Sequence, residues 1–102
     1  MSLQKRPLKS RPETKVTFRL PAEAAPAGAA VFLVGDFNDW DEKATPMERL
    51  KSGEWKVTLD LPAENSYEFR YLINGRVWEN DWEADAYRPA GLGHEDNSVV
   101  EV

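Results

Sequence analysis

Two indoles stand where turns would carry them outward. Trp40 ends the run Val31-Phe-Leu-Val-Gly-Asp-Phe-Asn-Asp-Trp40, in which an apolar strand stops at a Gly-Asp-x-Asn-Asp turn. Trp78 stands three residues after the Asn74-Gly75 turn that closes Tyr67-Glu-Phe-Arg-Tyr-Leu-Ile73. An exposed flat aromatic attracts a ligand that has an apolar face, and a polar rim on that ligand calls for donors and acceptors at the edge of the ring. A pyranose, with faces of axial C–H bonds and an equatorial rim of hydroxyls, is a ligand of this kind. Arg70 is the best edge donor, because strand alternation sets it opposite Tyr67, Phe69 and Tyr71, and a planar guanidinium can give two parallel hydrogen bonds to adjacent hydroxyls. One sugar face on one indole removes ~60 Å² of apolar area from water, about 1.5 kcal/mol. Two plates reach only ~3 kcal/mol, which sets dissociation constants between mM and tens of µM.

Each of these residues has a plain structural alternative. A Trp after a turn can fold back over the end of a sandwich, and Arg70 can be a solvated strand residue. Trp55 shares a face with Val57, Leu59 and Leu61 and is read as core, while Trp82, in Glu79-Asn-Asp-Trp-Glu-Ala-Asp85, is either a third platform or, the preferred reading, a plug for its loop.

Other chemistries find less support. The acids Glu79, Asp81, Glu83 and Asp85 would need two carboxylates held about 5–9.5 Å apart across a cleft, one with a raised pKa, to hydrolyse a glycosidic bond. A loop on a small domain offers no desolvation to raise it, so no catalysis is expected. Asp36-Phe-Asn-Asp-Trp-Asp41 alternates oxygen ligands but lacks the sixth-position Gly and distal Glu of a calcium loop, and is read as a turn that bonds its own backbone. His94 is the only histidine and there is no cysteine, so neither a zinc site nor a catalytic triad can be assembled, and no cofactor is implied. A net charge of −5 argues against nucleic acid, and Lys5, Arg6, Lys9 and Arg11 form only a small basic patch without aromatics. The longest apolar run, Ala29 to Val34, is far short of a membrane span. The basic N-terminus has no roughly 7–15 residue apolar core of a secretory signal, and a soluble, cytoplasmic chain is expected.

The elements that must position the two indoles are strands. Residues 1–13 read as a flexible basic tail, and residues 14–102 as one domain. Lys15 to Leu20 alternates, Ala29 to Gly35 is short and β-rich, and Trp55 to Leu61 is the clearest strand, with Met47 to Leu50 as its partner across a Gly-containing turn. Tyr67 to Ile73 puts Glu68, Arg70 and Leu72 on one face, and Arg76 to Trp78 returns antiparallel after a turn needing positive φ at Asn74-Gly75. Residues 79–97 read as loop and Ser98 to Val102 as the last strand. The fold expected is all-β, an immunoglobulin-like antiparallel β-sandwich of about seven strands, with no helix beyond about two turns. Phe18, Phe32, Val34, Trp55, Val57, Leu59, Phe69 and Tyr71 are its expected core.

These motifs together resemble the family 48 carbohydrate-binding module of the isoamylase N-terminal and glycogen-binding type, found also in the beta subunits of AMP-activated protein kinase. The landmarks are the G-x-F-N-x-W turn at Gly35 to Trp40, the Y-x-F-x-Y-x-I-N-G hairpin at Tyr67 to Gly75, the nearby Trp78, and a closing strand read as Asn97-Ser-Val-Val-Glu-Val102. The resemblance covers roughly residues 14–102. It implies non-catalytic binding of α-1,4-linked glucans (glycogen, maltooligosaccharides, cyclodextrin), with Trp40 and Trp78 as platforms and Arg70 where the family usually has Lys. It adds Asn97 as a sugar-contacting amide and Leu92, in Leu92-Gly93-His94, at the place of a leucine that inserts into the glucan helix. The run Arg70-Tyr-Leu-Ile-Asn-Gly75, followed by Trp78-x-Asn-Asp-x-x-Ala-Asp85, looks closer to the N-terminal modules of glycogen debranching and branching enzymes than to the kinase subunits, while Gly75-Arg-Val-Trp78 departs from the family's Gly-x-Trp spacing. The alternative within the same fold is an interaction module that docks on a glycan-active enzyme or a kinase-type partner and keeps a vestigial sugar site.

Overall fold

A computed structural model describes residues 3–90 and 96–102. Among the described residues the chain forms two antiparallel sheets and two single turns of 3₁₀ helix, Ala22–Ala24 and Asp36–Asn38. One sheet consists of β1 (Leu3–Pro7), β2 (Glu13–Leu20), β5 (Trp55–Pro62) and β4 (Glu48–Arg49), in that order. The other runs β3 (Val31–Gly35), β6 (Ser66–Ile73), β9 (Asp96–Glu101) and β8 (Ala86–Pro89), with β7 (Val77–Glu79) also paired to β6.

The sandwich is therefore as expected, with nine strands rather than seven. One extra strand comes from the basic segment read as a flexible tail: Leu3↔Phe18 through Pro7↔Thr14 pair, and Leu3 is buried. Its cations hid a strand because they lie on a solvated edge, where only one inward residue is needed to hold it. The other is β8, within the acidic, Pro-containing stretch read as loop, where Ala86↔Val99 to Pro89↔Asp96 pair and proline is tolerated at an edge.

Between the sheets, Val16, Phe18 and Leu20 of β2 and Trp55 and Leu61 of β5 meet Val31 and Leu33 of β3, Phe69, Tyr71 and Ile73 of β6, and Val100 of β9. Phe18 and Phe69 pack edge to face at 5.1 Å, as do Phe69 and Tyr71 at 5.7 Å, the arrangement favoured by the ring quadrupoles. Val57 and Leu59 are half-buried against this cluster. The buried Trp55 indole donates to Ala25 O at 3.3 Å.

Phe32 is only half-buried, and Val34, fully buried as expected, lies outside this cluster. The register pairs Val31 with Ile73 and Leu33 with Tyr71, so Phe32 and Val34 face outward, opposite Leu72 and Arg70. An uninterrupted apolar run has no alternation from which to choose a face, and the pairing partner chooses it instead.

Two devices shape the second sheet. Residues 45–47 run along the free edge of β3, with Leu33 N donating to Thr45 O at 2.9 Å, Met47 N donating to Val31 O at 2.8 Å, and a bridge from Phe32 to Pro46. They then continue into β4 of the first sheet. The far edge of β6 is shared: β9 pairs with Ser66 to Phe69 and β7 with Tyr71 to Ile73. At the fork sits a buried polar group, Asp81, whose carboxylate accepts from Tyr71 Oη at 2.7 Å and from Glu83 N at 2.8 Å. Burial first, then the charge of Asp81 and their hydrogen bond, hold the Tyr71 hydroxyl well above its ordinary pKa of 10.0, so it remains a neutral donor.

Candidate functional site

The turn carrying Trp40 is built by its own polar side chains. Gly35 is extended, at φ −173°, but a Cβ there would meet Glu68 O at 2.5 Å, Phe69 Cβ at 2.8 Å and Phe37 Cζ at 2.9 Å, so only glycine fits. Phe37 tucks beneath it against Phe18 and Tyr67. Asn38 accepts from Gly35 N at 3.1 Å and donates to Leu33 O and to Thr45 Oγ1, each at 3.0 Å. Asp39 and Trp40 both take φ of 57°, and Trp40 N donates to Gly35 O at 2.9 Å. With Asp41 Oδ1 accepting Lys43 N at 2.9 Å, these oxygens serve the backbone, as the sequence leads one to expect.

Trp40 is half-buried and its orientation is held. Its Nε1 donates to Asp36 Oδ1 at 2.9 Å, while Asp36 Oδ2 accepts Glu68 N at 2.8 Å. The indole N–H is used within the protein, and the ring is tied through one carboxylate to β6. What this Trp presents is a ring, not a donor.

Trp78 is 37% exposed and lies opposite Leu72 across the β6–β7 pairing. Asn74 and Gly75 take φ of 55° and 69°, as the expected turn requires, and Asn74 Oδ1 fastens the hairpin to Ala30 N at 3.0 Å. Two residues along β6 from Leu72 and on the same face comes Arg70. Continuing the β6–β9 register one step places Asn97 directly across from it, and Arg70 Nε donates to Asn97 Oδ1 at 2.7 Å. Val34, Arg70, Asn97 and Arg88 thus form one row across four strands.

The sequence motifs did not disclose the rest of this row's chemistry. Asn97 Nδ2 donates to Glu68 Oε1 at 3.0 Å, and the other oxygen of Glu68 lies 3.8 Å from Arg88 Nη1. Arg88 also donates to Ser66 Oγ at 3.1 Å. Glu68 could have been found from its alternation with Arg70. Arg88 could not, because its strand was read as loop. On the same face, interleaved with these polar residues, Val34, Leu72 and Val99 are buried, at 0%, 1% and 0% exposure, yet stand outside the inter-sheet cluster. The outer face therefore has its own apolar side chains among the polar residues, which lowers the local dielectric and makes their hydrogen bonds directional and firm.

Of the residues singled out from sequence, Arg70, Asn97 and Trp78 fall on this one face, and Trp40 is joined to its end through Asp36 and Glu68. Leu92 lies outside the described residues. Trp82 is not a plug: it is 52% exposed, with its Nε1 donating to Glu79 Oε1 at 3.3 Å. Among the described residues, no group of three or more His, Cys, Asp or Glu side chains is placed to hold a metal ion.

Compared with known protein families, residues 7–88 match carbohydrate-binding module 48, the isoamylase N-terminal domain. The chain belongs to that family. The match of this carbohydrate-binding module runs from the end of β1 to Arg88, and so includes Trp40, Arg70 and Trp78 but not Asn97. Relatives of the module include the 1,4-alpha-glucan branching enzyme of Thiobacillus denitrificans, 43% identical over 71% of this chain and 10% of the enzyme. The corresponding enzyme of Emericella nidulans is 48% identical over 49% of the chain and 7% of the enzyme. That of Aquifex aeolicus is 39% identical over 56% and 9%. The module thus spans a tenth or less of the length of these relatives.

Proposed function

We propose that this module binds α-1,4-linked glucan, without catalysis, on the outer face of its second sheet. Trp40 and Trp78 are the plates, Arg70 and Asn97 the rim contacts; Asp36 holds Trp40, and Glu68, itself paired with Arg88, holds Asn97. The observation that carries the reading is the direct hydrogen bond between Arg70 and Asn97, 2.7 Å, on the face that also bears the exposed Trp78. Two residues 27 apart in sequence are brought into one polar pair among buried apolar side chains, beside a flat ring.

Trp78 stands across from Leu72, and Trp40 is tied through Asp36 to Glu68, so their anchor points are four residue steps apart along β6, roughly 13 Å at the usual strand rise, enough for a short oligosaccharide rather than one ring. A curved α-glucan can touch both plates and the pair between them. The flat ribbon of a β-1,4-glucan cannot follow that surface. The carboxylates nearby, Asp36 and Glu68, are engaged with the protein's own groups: Asp36 with Trp40 Nε1 and Glu68 N, and Glu68 with Asn97 and Arg88.

Calorimetric titration tests this. β-Cyclodextrin and maltoheptaose bind with dissociation constants between millimolar and tens of micromolar, about the scale of two stacked rings, and cellohexaose does not. Maltoheptaose incubated with the module keeps its length by chromatography. Binding of cellohexaose equal to that of maltoheptaose overturns the specificity, and release of shorter sugars overturns the absence of catalysis.

The exposed Trp82 and Tyr87, at 52% and 45%, favour a second reading in which this side rests on a glycan-active catalytic domain. No binding of any α-glucan at millimolar concentration would leave that reading in place of the first.

A further inference from the structure

Trp78 and Asn97 belong to different strands, β7 and β9, which share the far edge of β6 by pairing with different halves of it. The spacing between plate and amide is therefore not set by a ladder of their own. One link between the two strands is the side chain of Asn80, two residues after Trp78. Its Nδ2 donates to Asp96 O at 2.8 Å and its Oδ1 accepts from Ser98 Oγ at 2.8 Å, so one amide is bonded to both neighbours of Asn97 in sequence. Ser98 Oγ in turn accepts Asp81 N at 2.8 Å, and Asp81 is anchored to Tyr71.

We propose that Asn80 is a positioning residue that fixes the distance between the Trp78 ring and the Asn97 amide, and thereby favours rigid, curved glucans over flexible ones. The inference rests on the glucan reading above. A cyclic sugar cannot adjust its own shape, so it gains both contacts only where the protein holds them at the matching spacing. A linear chain can bend to reach a misplaced partner and loses less. Preorganisation of this kind improves affinity without adding a contact.

The test compares Asn80→Ala with the parent by calorimetry, with β-cyclodextrin and with maltoheptaose. β-Cyclodextrin weakens about fivefold and maltoheptaose less than about twofold, because only the rigid ligand depends on the spacing. In a Trp78→Ala background, Asn80→Ala has no further effect on β-cyclodextrin, since the plate it positions is gone. Asn80→Asp keeps the acceptor for Ser98 and loses the donor to Asp96, gives an intermediate loss, and carries the test if the alanine variant does not fold. Equal weakening of both sugars, unchanged affinity for both, or a loss that persists without Trp78 overturns the proposal. If the parent itself binds neither sugar, the glucan reading fails first and this inference falls with it.

Discussion

Replacing Trp78 by Ala separates a ligand plate from a packing residue. Trp78 is 37% exposed. Of the roughly 250 Å² of a Trp side chain, that leaves about 90 Å² in water. A pyranose laid on the ring covers ~60 Å² of it, and at ~25 cal/mol per Å² the variant loses about 1.5 kcal/mol, or roughly twelvefold in β-cyclodextrin affinity. The fold should feel less. Trp78 sits on a three-residue strand opposite Leu72, so truncation uncovers part of one buried leucine and one cross-strand pair, a cost of at most ~1 kcal/mol. Isothermal titration measures the first quantity and urea unfolding the second. An affinity within twofold of the parent would refute the plate argument, and loss of the native unfolding transition would show that Trp78 packs rather than displays.

Trp40→Ala should cost affinity on the same scale, and also ~1 kcal/mol of stability, because the half-buried indole gives up its bond to Asp36; urea unfolding beside the titration checks both. Arg70→Ala should weaken β-cyclodextrin by about 1–2 kcal/mol, the range of a hydrogen bond to a charged group, and equal affinity in the two proteins would remove Arg70 from the site. Gly35→Ala forces a Cβ to within 2.5 Å of Glu68 O, which is backbone and cannot swing aside, and should destabilise by more than ~2 kcal/mol; a parent-like unfolding midpoint would contradict the packing described. Tyr71 keeps its proton in the fold to a higher pH than in the unfolded chain, so its contribution is fully present below the unfolded pKa, about 10, and is lost as pH rises through the folded value. The parent should therefore lose stability above pH ~10 at up to about 1.4 kcal/mol per pH unit from this group, and Tyr71→Phe, less stable at neutral pH, should lack that part of the alkaline decline.

How much could be read beforehand divides along physical lines. Strands β2, β5 and β6 announced themselves because each alternates, and alternation reports a face directly. In the Val31–Val34 run every residue is apolar, so only the partner strand could show that Val31 and Leu33 turn inward. Strands β1 and β8 were missed because edge strands need little apolar content. At the site, Trp40, Trp78 and Arg70 were legible as residue types delivered outward by turns and pairing. Their supports were not, apart from Glu68, which alternates with Arg70. Asp36, Glu68, Arg88 and Asn80 act by contacts spanning 4, 29, 22 and 16 residues, and all but the first of these separations exist only once the sheet is assembled.

The segment 45–47 that closes β3 bears on self-association. A module with the weak affinity proposed above works where chains are crowded, on a polymer or at high local concentration, and there an open strand edge is a template for joining sheet to sheet. The outward N–H of Leu33 and the carbonyl of Val31 are already used by Thr45 and Met47. Among the described residues the other edges are blunted differently: β1 carries Lys5, Arg6 and Pro7, β8 carries Arg88 and Pro89, and β4 and β7 are only two and three residues long. Charge, proline and brevity each discourage a neighbouring strand from continuing the ladder. The same crossing that takes the chain from one sheet to the other thus leaves the flat faces, and not the edges, as the surfaces this protein offers to others.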